Sequence, residues 1–137
     1  MSLDGPLNFL AAQSQAFDVT HPLTLRGTVS QLVFSPGPHS YLVVDVKDAT
    51  GESERWVIQG NPPGALMRDG WNLKESLRLG DAVTIVTFRP RTGATVAEAI
   101  PVAAGAQVLE LANRGRLLHG TQVTLSDGKT LTFGPSQ

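Results

Sequence analysis

Three histidines, two tryptophans, a single tyrosine and eleven Lys and Arg side chains carry most of the chemistry open to this sequence. A metal site built on His21, His39 or His119 needs two or more ligands within a few ångströms of one another. His39 follows the turn Ser35-Pro36-Gly37-Pro38, and His21 starts the strand that leads into that turn. A hairpin closed there holds the two imidazoles tens of ångströms apart, at about 3.4 Å per residue. His39 with Asp45, and His21 with Asp48 and Glu52, are the ligand sets that remain, and Met67 is the internal methionine that a copper carrier could use. The absence of cysteine excludes thiolate ligation, disulfides and a Cys nucleophile. Ser40 beside His39 does not make a nucleophile and its base, because strand neighbours point to opposite faces. His39 reads instead as a turn residue bonded to backbone. No Gly-x-Ser-x-Gly elbow or phosphate loop is present, and Glu52 and Glu54 share an exposed strand face where solvated charge suffices. The expectation is a protein without catalytic residues, metal or cofactor; the alternative is a metal-binding protein using His39 or His21 with carboxylates, and a further alternative is single-stranded nucleic-acid binding.

Binding is the better-supported chemistry. Tyr41, Arg55 and Trp56 fall on the second and third strands, where aromatic rings could stack on sugars or bases. Arg89 and Arg91 flank Pro90 and would add a small positive spot if the topology brings Arg26 or Arg55 near. Two or three arginines suit one carboxylate or phosphate rather than a polymer. The candidate ligand residues are therefore His39, Tyr41, Arg55, Trp56 and Arg89. Trp56, sharing its parity with Ile58, also fits a core position, and Trp71 fits a plug at a barrel end. Eleven basic against twelve acidic residues give a formal charge of −1, which disfavours nucleic acid and anionic lipid as partners. A small ligand or a protein partner is expected, and exposed strand edges are compatible with a homodimer.

The elements that must position these residues are mostly strands. The 137 residues, 41% hydrophobic and 17% charged, suit one domain with an ordinary core. Residues 1–20 read as an N-terminal arm, and 21–137 as a single domain. Leu23, Leu25, Val29 and Val33 share one parity of a first strand, with Gly27 marking a bulge or bend within it. Tyr41 to Lys47 alternates as a second strand, and Glu54 to Gln59 forms a third across the turn Asp48-Ala49-Thr50-Gly51. About one helical turn follows over Ala65 to Gly70, and Trp71 to Leu79 continues as a short helical or irregular piece. Ala82 to Phe88 is the most β-branched strand, and Thr95 to Val102 reads as a fifth. Residues 103 to 120 fit either a helix, on Val108, Leu111, Ala112 and a capping Gly115, or a strand over Gln107 to Leu111. Val123 to Phe133 reads as a hairpin with a two-residue Asp127-Gly128 turn. A helical connector after the third strand and before the fourth is the order of an OB-like barrel. The expected fold is thus all-β: a five-stranded OB-like Greek-key barrel with a short helical connector between strands three and four and an extra C-terminal hairpin.

Phe17-Asp18, the run Pro22-Leu23-Thr24-Leu25-Arg26-Gly27-Thr28-Val29, Pro38-His39-Ser40, Val43-Val44-Asp45-Val46, Gly70-Trp71, Leu77-Arg78-Leu79-Gly80-Asp81 and Val123-Thr124-Leu125-Ser126-Asp127-Gly128 occur in that order. Together they resemble the motifs of a family of small, uncharacterised bacterial exported proteins, over residues 17 to 131 with a break at 94 to 120. The resemblance implies an OB-like barrel and a periplasmic or secreted location, and brings no activity with it. Three departures stand out. Ser14-Gln15-Ala16 replaces the family's His-His-Ser group, so no metal role carries over from it. Gly37 replaces the asparagine of the Pro-His turn, and residues 103 to 120 have no counterpart.

No segment approaches the roughly 18 apolar residues of a membrane-spanning helix. The first residues lack the basic-then-apolar pattern of an export signal. With an exported family implied, Met1-Ser2-Leu3 is expected to stand where a removed signal had been.

Overall fold

The computed structural model describes residues 17–34, 39–90 and 104–134. Its elements in chain order are β1 (Phe17–Val33), β2 (Ser40–Lys47), β3 (Ser53–Gly60), α1 (Pro63–Arg68), β4 (Ala82–Pro90), α2 (Ala106–Asn113), β5 (Leu117–Leu125) and β6 (Thr130–Thr132). The first five barrel strands pair antiparallel except where β3 and β5 run parallel, over Val57 to Gln59 against Leu117 to His119. That parallel contact closes the sheet, so the circuit runs β1-β2-β3-β5-β4 and back to β1, with β6 added on β5. The all-β, five-stranded barrel with its helical connector is the expected architecture.

The 17-residue β1 serves two neighbours in succession. Residues 17 to 28 pair with β4 and residues 28 to 33 pair with β2. The changeover explains Gly27: a Cβ there would lie 2.6 Å from the Asp45 carbonyl oxygen, so only glycine lets the two backbones approach. The bulge itself lies further along, at Ser30, between Val29 and Gln31. At Gly27, where the strand pattern predicts a bulge or bend, close approach rather than an inserted residue is the constraint.

The fifth barrel strand also differs from expectation. The strand expected over 95–102 lies outside the described residues, and the barrel is closed by β5, the first arm of the C-terminal hairpin extended back to Leu117. Residues 106 to 113 are helical, ending in a hydrogen-bonded cap: the Gly115 N–H donates to Ala112 O at 3.1 Å and Arg116 N–H to Leu111 O at 2.9 Å. Gly115 has φ of 77°, the left-handed conformation such a cap needs. The hairpin turn is three residues, Ser126-Asp127-Gly128, because Gly128 alone takes a positive φ while a two-residue type I′ turn needs two such residues.

Two apolar layers result from strict alternation on β2 and β3. Leu42, Val44 and Ile58 point into the barrel with Val29, Ile85, Leu118 and Phe133. Tyr41, Val43 and Val57 point outward and are covered by Val108, Leu111 and Ala112 of α2. Trp71 plugs the interior, as its sequence position suggested. The α1 cap places it there, with Gly70 at φ 100° and the Trp71 N–H donating to Leu66 O at 3.0 Å. Its indole Nε1 donates to Thr132 O at 2.7 Å, and its ring packs against Phe34 and Phe133.

Candidate functional site

The outer face of β2–β3 carries Tyr41 and Arg55, with His39 just ahead of β2, while Trp56 falls on the inward parity; α2 divides the outer face in two. At the Ser40 end, Tyr41 pairs with Gln59, and Gln59 pairs with His119 across the parallel contact. Tyr41 is only 1% exposed and His119 5%. The His39 ring sits edge-on to Tyr41 with centroids 6.4 Å apart, and its Nδ1 lies 3.1 Å from the Gly60 carbonyl oxygen. His39 is thus a backbone-bonded residue beside the turn. Burial lowers its pKa, opposed by the bond to Gly60. Burial raises that of Tyr41. For His119, burial first and the nearby His39 second push the imidazole down to about 4. Ser40 Oγ and Tyr41 Oη are buried without a hydrogen-bond partner among the described residues. This end is a neutral, sequestered polar layer rather than an open stacking platform, so the Tyr41 ring is not presented to a ligand. The meeting of His39 with His119 had no signal in the sequence, since their approach depends on a parallel strand pairing.

The other end of the face is open. Between α2 and the lower halves of β2 and β3 lies a cleft of about 680 Å³, lined by Asp45, Ser53, Glu54 and Arg55 from the sheet, Ala106, Gln107, Glu110, Leu111 and Arg114 from the helix, and Arg116. This volume lies within the range of roughly 300–1,000 Å³ usual for ligand sites. Its three guanidinium groups each face a carboxylate. Arg55 Nε donates to Asp45 Oδ1 at 2.8 Å across the β2–β3 ladder, Arg116 Nη1 reaches Glu54 Oε2 at 2.5 Å, and Arg114 lies 3.5 Å from Glu110 one helical turn away. The Arg116 guanidinium also stacks on the Trp56 ring, 4.9 Å from its centroid. Trp56 packs partly into the barrel core, as its parity with Ile58 indicated. It therefore forms the base on which a cleft arginine rests.

Arg55 and Trp56 are thus brought together with Arg114 and Arg116, which the sequence reading did not single out. Their helix was ambiguous, and Arg116 meets Glu54 across 62 positions, beyond any local pattern. Arg89 is exposed at the far end of β4. Arg26 pairs with Thr84, five residues or about 17 Å along β4 from Arg89, so no shared positive spot forms between them. Arg91 lies outside the described residues.

Strand register separates the metal sets considered from sequence. His39 and Asp45 lie six residues apart, about 20 Å along the chain at strand pitch. Asp48 is spent in its own turn, where its Oδ1 accepts from Thr50 N–H, Thr50 Oγ1 and Glu52 N–H. Among the described residues, no group of three or more His, Asp or Glu side chains is gathered as a metal-ligand set. No helix is long and apolar enough to cross a membrane among those residues.

Comparison with curated proteins and with solved structures gives no match. One family profile does match, over residues 8–99, a span that runs through β1 to β4 and leaves α2 and β5 beyond it. That span covers most of the barrel and two-thirds of the chain, and on it the protein belongs to the family of unknown function DUF6152.

Proposed function

We propose that this protein is a non-catalytic binding module of the bacterial envelope, holding a ligand or protein partner on the β2–β3 face in the cleft beside α2. The observation that carries the reading is the cleft itself: about 680 Å³ of open space bordered by Arg55, Arg114 and Arg116, each facing a carboxylate. Guanidinium groups held by carboxylates that keep part of their surface in solvent exchange partners with modest loss, because solvent-exposed ion pairs contribute only about 0–1 kcal/mol. A polar ligand group can therefore take over one fork of an arginine while the rigid sheet keeps the arginine in place. The envelope location rests on the resemblance to exported proteins, and fractionation of cells carrying the native gene tests it. Product confined to the cytosol would remove that part of the proposal.

The binding reading is tested by a thermal-shift screen of the full chain against sugars, dicarboxylates, phosphate esters and short peptides. A true ligand raises the unfolding midpoint by an amount that grows with the logarithm of its concentration above Kd. Arg55→Ala is expected to weaken a hit by roughly ten-fold, and Arg89→Ala, far from the cleft, to leave it unchanged. A hit insensitive to Arg55→Ala would place binding elsewhere and overturn the assignment.

A further inference from the structure

Among the described residues, the β3 edge that borders the cleft has no strand beside it. The β3–β5 pairing begins at Val57, whose N–H donates to Arg116 O at 2.8 Å. Among the described residues no strand pairs with Ser53 to Trp56 on the side away from β2. Backbone groups alternate sides along a strand. Since the Val57 N–H points away from β2, those of Arg55 and Ser53 point the same way, toward the rim of the cleft. The Arg116 N–H, the next group of the β5 segment that could have met Arg55, is turned back to Leu111 O by the α2 cap. The cap thus ends the parallel ladder and leaves an open edge on one side of a cleft whose other wall is a helix.

From this edge we infer that the occupant of the cleft is an extended segment of a partner protein, which adds as a short strand along Ser53 to Trp56. The inference rests on the reading of the cleft as a binding site and specifies what fills it. Main-chain donors and acceptors at strand spacing are complementary above all to another main chain. The balanced charges of the cleft give no net pull on a polyanion or polycation, but offer an arginine or a carboxylate to each polar side chain of either sign. The helical wall narrows the opening to a cleft, so a single strand enters where the edge of a second barrel would meet α2.

The test selects peptides from a random twelve-residue display library on the full chain and measures hydrogen exchange of its backbone amides with each selected peptide. The expected result is protection of the Ser53 and Arg55 amides by roughly ten-fold or more. N-methylation at alternate peptide positions is expected to abolish binding. Ser53→Pro is expected to weaken binding by a similar factor while keeping the Arg55 guanidinium, since proline at an outward-facing edge position removes the outward donor without breaking the β2–β3 ladder. The N-methylated peptides keep the test decisive if that variant does not fold. Peptides that perturb the cleft but leave Ser53 and Arg55 unprotected would overturn strand addition while sparing the cleft. Failure to select any peptide, with small polar molecules still binding in an Arg55-dependent way, would likewise overturn it. Self-association through Ser53 to Trp56 would make the occupant a second copy and overturn it too. Binding unaffected by every cleft substitution would instead remove the underlying reading.

Discussion

At the scale of single residues, His119 is the side chain with the largest physical consequence. It is buried at the β3–β5 closure, with an imidazole pKa near 4 set by burial and by the neighbouring His39. In the unfolded chain it titrates near 6.5. Above that pH both states are neutral and no stability is lost. Between 6.5 and about 4 the unfolded state takes up a proton that the folded state refuses, so stability falls as pH is lowered, and the loss levels off below 4. The size of this contribution is about 3 kcal/mol. Urea unfolding at pH 7.5 and pH 4.5 is expected to show that loss in the parent chain, and a visibly smaller one in His119→Gln. An unchanged pH dependence in the variant would show that another group is responsible. The same residue shows a limit of reading the sequence: His119 could be recognised as an imidazole, but its partner is chosen by a strand register that no local pattern encodes.

At the scale of elements, α2 decides what the β2–β3 face does. It buries Tyr41, Val43 and Val57 at one end and walls the cleft at the other. Leu111 belongs to that buried outer layer and also lines the cleft, so Leu111→Ala is expected to cost about 2–4 kcal/mol. Gly115→Ala, forced into a left-handed conformation at the helix cap, is expected to cost roughly 1 kcal/mol. Both variants should lose ligand response along with stability, which chemical denaturation and the thermal-shift screen measure together. A destabilised Leu111→Ala that binds normally would show that the helix does not shape the site. Alternation made β2, β3 and β4 legible, because one face of each is core. The α2 segment was only half legible: Val108, Leu111 and Ala112 with Gly115 gave the helical pattern, yet eight residues are too few to exclude a strand. The closing strand is not legible, because the hairpin at Asp127-Gly128 reads as self-contained and nothing local shows that its first arm reaches back to Leu117 and closes the barrel.

At the scale of the whole molecule, β1 shared between β2 and β4, together with the short parallel seam between β3 and β5, turns a meander into a closed cylinder plugged by Trp71. Closure removes most edges. The exception bordering the cleft arises where the α2 cap diverts Arg116 from the ladder, so the candidate site and the topology have one origin. The connector between β3 and β4 made the barrel readable from the order of elements. The cleft was not readable in that way, because its walls come from residues 45–55 and 106–116, which meet only in three dimensions.

The most direct measurement is amide chemical-shift mapping of the full chain during titration with a confirmed ligand. The expected result is a contiguous set of perturbed resonances at Asp45, Ser53, Glu54, Arg55, Gln107, Glu110, Arg114 and Arg116, with Leu23 to Leu25 and the outer face of β4 undisturbed. Perturbations centred on β1 and β4, with the resonances between α2 and β3 unmoved, would contradict the account.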